Sequence, residues 1–123
     1  MPLIANMPQL KRLDMIITGA PTMTVREAVD LLVAGGVGAM PVVDGKKIVG
    51  MFSERDLLVR VVGKKLDADE LILEEVMTHN PITIGKDKTK EEALSIMKEK
   101  GFRHLPVVEG EQMVGVLSIR DFL

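Results

Sequence analysis

The sequence predicts an α+β fold in which two β-α-β-β-α repeats pack about a pseudo-twofold axis. Two observations carry this. A shift of 65 residues lays residues 89–123 on residues 24–58 without a gap, and 14 of the 35 positions are identical. Nine of the other 21 positions exchange one apolar residue for another, and Thr18 falls on Thr83 at the same shift. Each copy also runs through the same order of helix starts, helix stops and turns. Self-similarity at a fixed period marks a repeated unit that buries its apolar face against a neighbour.

The elements follow in order. A short apolar strand is expected near Ile16 to Thr18, and its repeat near Ile82 to Ile84. Thr24-x-x-Glu27 and Thr89-x-x-Glu92 are capping boxes, so a helix starts at each. Val25, Ala28, Val29 and Leu32, and then Ala93, Leu94 and Met97, stand at helical spacing. Gly35-Gly36 and Gly101 end these helices, because glycine adopts the left-handed cap without a Cβ penalty. Ala39 to Val43 and Leu105 to Val108 read as buried strands, Asp44-Gly45 and Glu109-Gly110 as turns, and Ile48 to Phe52 and Met113 to Leu117 as returning strands. Ser53 and Ser118 cap a second helix.

The expected organisation is a first repeat at 14–62, a charged linker at 63–75 and a second repeat at 76–123. Val76-Met77-Thr78 has a poor counterpart in Lys11-Arg12-Leu13. Copy two ends at Leu123, two residues past Asp121, so its C-terminal helix is expected to be short, whereas copy one continues through Val62.

Composition narrows the function. The 123 residues include no cysteine, which excludes disulfides, thiolate metal sites and a cysteine nucleophile, and a reducing cytoplasm is the expected compartment. The formal charge is −2, and Phe52, Phe102 and Phe122 are the only aromatics. Neither a basic surplus nor a stacking platform is present, so no nucleic-acid partner is expected. Apolar runs stay far below the ~20 residues of a membrane span, and Met1 to Leu13 lacks the order of a signal peptide, so no membrane partner is expected either.

No catalytic constellation emerges, and no enzyme is expected. There is no Gly-x-x-x-x-Gly-Lys phosphate loop, and Gly35-Gly36-Val37-Gly38 follows a helix, the reverse of a dinucleotide fingerprint. His79 and His104 have no ligand partner at metal spacing, so no metal site is expected. The nine methionines read as core filler, and Lys64-Lys65 beside Asp67, Asp69 and Glu70 as a solvated linker.

The doubled tail is the strongest chemical feature. Ser53-Glu54-Arg55-Asp56 and Ser118-Ile119-Arg120-Asp121 each follow a buried strand and open a helix. Two readings stand. Ser-x-x-Asp is close to a capping box and would exist for the helix alone. A hydroxyl, a guanidinium and a carboxylate at a helix start also suit a phosphate and a ribose diol.

Gly36-x-x-x-Met40-Pro41-Val42-Val43-Asp44-Gly45, followed by Gly50-Met51-Phe52-Ser53-x-x-Asp56 and all of it repeated, resembles a tandem pair of cystathionine β-synthase (CBS) domains, a Bateman module. The resemblance covers 14–123 and implies a regulatory module that binds AMP, ADP or ATP in clefts between the repeats, without a required cofactor. It equally covers modules that sense S-adenosylmethionine or NAD within a larger enzyme or transporter, and dimerising modules without a ligand. Carried over by position, Asp56 and Asp121 would hold ribose hydroxyls, Ser53 and Ser118 ribose or phosphate, and Arg55 and Arg120 phosphates. Adenine would lie between Thr18 and the segment Val37, Gly38, Ala39, Met40, Pro41 in copy one. In copy two it would lie between Thr83-Ile84 and Phe102, Arg103, His104, Leu105, Pro106. Arg103 reads as a surface cation or a phosphate ligand, and His104 as a ligand contact or a packed position. Leu57, Leu58, Val61 and Val62 offer an apolar stripe, so a homodimer is expected, with an effector protein as a further partner.

Overall fold

The computed structural model describes residues 3–122. In chain order the strands are β1 (Lys11–Arg12), β2 (Ala39–Asp44), β3 (Lys47–Ser53), β4 (Thr78–His79), β5 (Ile84–Gly85), β6 (His104–Glu109) and β7 (Gln112–Ser118). The helices are α1 (Val25–Gly35), α2 (Glu54–Asp56, continued by a wider π-type turn over Leu57–Val62), α3 (Leu73–Val76) and α4 (Lys90–Lys100). Short 3-10 turns lie at Ile4–Asn6, Leu13–Met15 and Ile119–Phe122. The chain forms two compact units, residues 17–81 and residues 3–16 with 82–122.

The unit at 17–81 is built on the first repeat. Thr24 caps α1 with both halves of the box: Glu27 N–H donates to Thr24 Oγ1 at 3.1 Å, and Thr24 N–H donates to Glu27 Oε1 at 3.5 Å. Gly36 ends the helix at φ 64°, the left-handed conformation that glycine tolerates best. β2 and β3 form an antiparallel hairpin with a bulge beside Val42 and Val43. The strand expected near Ile16 to Thr18 forms later and is shorter, a single parallel bridge of Gly19 to Val42. Gly19 N–H and carbonyl bond to Pro41 and Val43 on either side of that bridge, and the chain then leaves the sheet.

The segment expected as a linker closes this unit. Val25 and Arg26 N–H groups, which a helix cannot satisfy internally, donate to the carbonyls of Leu71 and Ala68 at 2.8 and 3.1 Å. Leu73, Val76 and Met77 then enter the core with Val25, Ala28, Leu32, Met40, Val42 and Phe52. β4 follows and pairs with β3 through Gly50↔His79 and Met51↔Thr78.

The other unit is built on the second repeat. Thr89 caps α4 by accepting from Glu92 N–H at 3.2 Å, and among the described residues the return bond expected of a capping box is absent. Gly101 ends the helix at φ 71°. β6 and β7 repeat the hairpin, with the bulge at the equivalent Val107 and Val108. β5 forms at Ile84–Gly85, at the end of the expected Ile82 to Ile84, and runs parallel to β6, the pairing that needs a crossover such as α4. Residues 3–16 belong to this unit. Ile4 and Ala5 donate to Lys88 and Lys86 carbonyls at 2.9 Å, Ile4 and Met7 enter the core, and β1 lies antiparallel on β7. Among the described residues no helix is long and apolar enough to cross a membrane.

Candidate functional site

Each repeat brings its tail and its pre-proline segment together by the same bond. Glu54 N–H donates to the Gly38 carbonyl at 2.8 Å, and Ile119 N–H donates to the Arg103 carbonyl at 2.8 Å. The positions are equivalent under the 65-residue shift. The start of the proline-containing strand and the start of the second helix are thus one edge of each unit.

The serine and aspartate of each tail also meet. In repeat one, Asp56 Oδ2 accepts from Ser53 N–H at 3.0 Å and from the Ser53 hydroxyl at 3.1 Å, while Asp56 N–H donates back to Ser53 Oγ at 3.2 Å. In repeat two, Asp121 Oδ2 accepts from Ser118 N–H at 2.8 Å, and Arg120 N–H donates to Ser118 Oγ at 3.4 Å. The capping account of Ser-x-x-Asp therefore holds in full in repeat one; in repeat two the expected second helix is a 3-10 turn at Ile119–Phe122, and among the described residues only the bond from Ser118 N–H to Asp121 spans the three residues. This leaves the outer carboxylate oxygen as the group that differs between repeats.

In repeat one that oxygen is engaged. Asp56 Oδ1 accepts from the Thr78 hydroxyl at 3.3 Å and lies 3.6 Å from Arg60 Nε. Arg60 in turn donates to the Met77 carbonyl at 2.9 Å, and Asp56 is 9% exposed. Asp121 is half-buried, and among the described residues its second oxygen has no hydrogen-bond donor. Thr78 and Arg60 escaped the sequence reading. Arg60 carries a signal, since it stands four residues after Asp56 on a helix; Thr78 is brought there by β4.

The remaining expected residues divide by burial. The side chains of Met40, Ile84 and Leu105 lie in the cores, and Pro41 and Pro106 are buried, so these positions present backbone only. Thr18, Gly38, Ala39, Ser53, Thr83, Phe102 and Ser118 are half-buried, while Val37, Arg55, Arg103, His104 and Arg120 are exposed at the edge. Arg55 has no ion-pair partner among the described residues. His104 is held below its ordinary pKa, first by desolvation and then by Arg103, Lys11 and Arg120, with Asp121 pulling the other way. Lys11 was not expected here; it arrives on β1.

Two surface concavities lie elsewhere in the 17–81 unit. One, of about 480 Å³, is lined by Arg60, Lys64, Leu66, Leu71, Glu75 and Val76. The other, of about 320 Å³, lies between α1 and the helix that begins at Glu54, with Val29, Leu57, Val61 and Ala68 in its wall. Neither includes the Ser-x-Arg-Asp tails. The expected apolar stripe is also redrawn: Val61 is buried and Leu57 half-buried, whereas Leu58, Val59 and Val62 are 63%, 53% and 58% exposed. Among the described residues no group of three or more His, Asp or Glu could hold a metal ion.

The family model described as the CBS domain matches residues 14–63 and again 73–123. An uncharacterized protein of Methanopyrus kandleri is 34% identical over 110 residues, which are 88% of this chain and 56% of that protein. The chain thus spans about half the length of that relative. A solved structure of a protein with CBS domains from Burkholderia ambifaria is 34% identical, covers 86% of this chain and 78% of its own, and superposes with a TM-score of 0.77. The structure of CBSX2, a CBS-pair protein of Arabidopsis thaliana, in complex with AMP has a TM-score of 0.82 at 24% identity, covering 97% of this chain and 91% of its own.

Proposed function

The chain belongs to the CBS-domain family as a tandem pair, and from that premise we propose that it is a non-catalytic regulatory module that binds an adenine nucleotide, AMP, ADP or ATP. The observation that supports this is the repeated edge. In each copy the 38/103 carbonyl is tied to the 54/119 N–H, which stands between a serine on one side and an arginine and an aspartate on the other. A carboxylate beside a guanidinium matches a ribose diol beside a phosphate. The fold shared with the AMP complex of CBSX2 is consistent with such a ligand. Asp56 and Asp121 are assigned to ribose hydroxyls, and Arg55 and Arg120 to phosphate.

The module transmits occupancy through association rather than chemistry. Leu58, Val59 and Val62 form an exposed apolar stripe, and closed twofold pairing is the commonest way to cover one. We assign the chain to a cytoplasmic homodimer acting on a separate effector protein. Sensing S-adenosylmethionine or NAD within a larger protein is the second reading, favoured by the longer relative. A thermal-shift screen with AMP, ADP, ATP, S-adenosylmethionine and NADH tests the proposal. A ligand at 100 times its Kd adds about 2.7 kcal/mol of stability. A rise in melting temperature with an adenine nucleotide is expected, and no rise with any of the five would contradict it.

A further inference from the structure

We infer that the two repeats rank adenosyl ligands by charge: repeat one prefers one without a phosphate over its phosphorylated form, and repeat two prefers the phosphorylated one. The inference rests on reading both edges as adenosyl sites. What separates them is the pair of positions that the shared backbone bond brings together, Gly38 with Glu54 and Arg103 with Ile119.

In repeat one the Glu54 carboxylate covers Gly38. A Cβ placed on Gly38 would lie 3.2 Å from both Glu54 Cδ and Oε1. Any ligand reaching from the pre-proline segment to Ser53 therefore passes beside this anion. The nearby cations do not offset it. Arg60 is engaged by Asp56 and the Met77 carbonyl, which leaves Arg55 alone in the tail.

In repeat two the same two positions are Arg103 and Ile119, so a cation replaces the glycine and an apolar side chain replaces the glutamate. Lys11 and Arg120 act on this edge as well: the His104 pKa is lowered first by desolvation and then by the charges of Arg103, Lys11 and Arg120. Asp121 is the one anion among the groups acting on His104. A phosphate dianion about 7 Å from a carboxylate, partly screened, loses roughly three- to tenfold in affinity.

The test is a titration of the isotope-labelled full chain with adenosine and, separately, with AMP. The Gly38 amide reports on repeat one and the Arg103 amide on repeat two. At Gly38, adenosine should saturate at lower concentration than AMP, and at Arg103 the order should reverse. Glu54→Gln should improve AMP affinity at Gly38 roughly three- to tenfold and leave adenosine affinity there and AMP affinity at Arg103 unchanged. AMP preferred at Gly38 in the native chain, or an AMP-to-adenosine ratio unmoved by Glu54→Gln, would overturn the charge ranking while leaving nucleotide binding intact. No response of either amide to either ligand would overturn the adenosyl reading and the ranking with it.

Discussion

Thr78 donates its hydroxyl to Asp56 Oδ1 at 3.3 Å, fastening β4 to the first turn of α2. Asp121 receives no such bond among the described residues. The two aspartates occupy equivalent sequence positions but hold different amounts of structure.

Stability should divide accordingly. Asp56→Ala strands Ser53 N–H and Thr78 Oγ1 and leaves Arg60 facing carbonyls alone. It should cost about 1–3 kcal/mol. Asp121→Ala removes one bond at the edge of its unit and should cost less. Urea unfolding of both variants checks the order, and a larger loss from Asp121→Ala would reverse it.

Ligand binding should divide the opposite way. A carboxylate oxygen with free lone pairs accepts a ribose diol without first breaking other bonds. Asp121→Ala should therefore lower AMP affinity more than Asp56→Ala does. Equal losses in parallel titrations would show that the spare oxygen of Asp121 does not set the ranking.

Acid should destabilise the second repeat through His104. Desolvation and then Arg103 lower its folded pKa below 6.5, so folding favours the neutral ring. Its contribution is complete above pH 6.5 and is lost as pH falls through the lowered value. Native protein should lose more stability between pH 7.5 and 5.5 than His104→Gln does. Equal losses would mean that the ring titrates normally.

The two interior glycines Gly50 and Gly115 should differ. A Cβ on Gly115 meets the Lys11 carbonyl, which is backbone, and lies 3.0 Å from Leu10 Cδ1. A Cβ on Gly50 meets the Met77 side chain, which has rotamers to use. Gly115→Ala should cost about 1–3 kcal/mol by overpacking β1 against β7, and Gly50→Ala less. Thermal melts of both variants decide the order.

Oligomerisation should depend on the stripe at Leu58, Val59 and Val62. Leu58→Asp with Val62→Asp should convert a dimer to a monomer by light scattering at tens of micromolar, without loss of helical signal. A monomeric native chain at that concentration would refute the dimer.

The first helix and the hairpin of each repeat were legible, because capping threonines, cap glycines and the Pro-Val-Val strands are local signals. The caps at Gly36 and Gly101 and both hairpins follow from them, whereas the bulges at Val42–Val43 and Val107–Val108 had no expected counterpart. The crossing segments were not legible. Nothing local in Lys11-Arg12 or Thr78-His79 says that they pair with Gly115 and Gly50, since each is a two-residue strand fixed by a distant partner. Leu73, Val76 and Met77 looked like linker and repeat start, yet tertiary packing draws them into the first core. The site shows the same limit. Ser53 with Asp56 and Ser118 with Asp121 were readable at three-residue spacing, whereas Thr78 on Asp56 and Lys11 near His104 depend on those crossing strands. The exposed stripe was only half readable, because packing against α1 takes Leu57 and Val61 and leaves Leu58, Val59 and Val62 outside.

Calorimetric titration of AMP into the native chain and into Asp121→Ala tests the regulatory nucleotide-binding account most directly. Saturable heat from the native chain, with affinity lowered at least tenfold in the variant, is the predicted result. No heat from the native chain, or the same isotherm from both proteins, would contradict it.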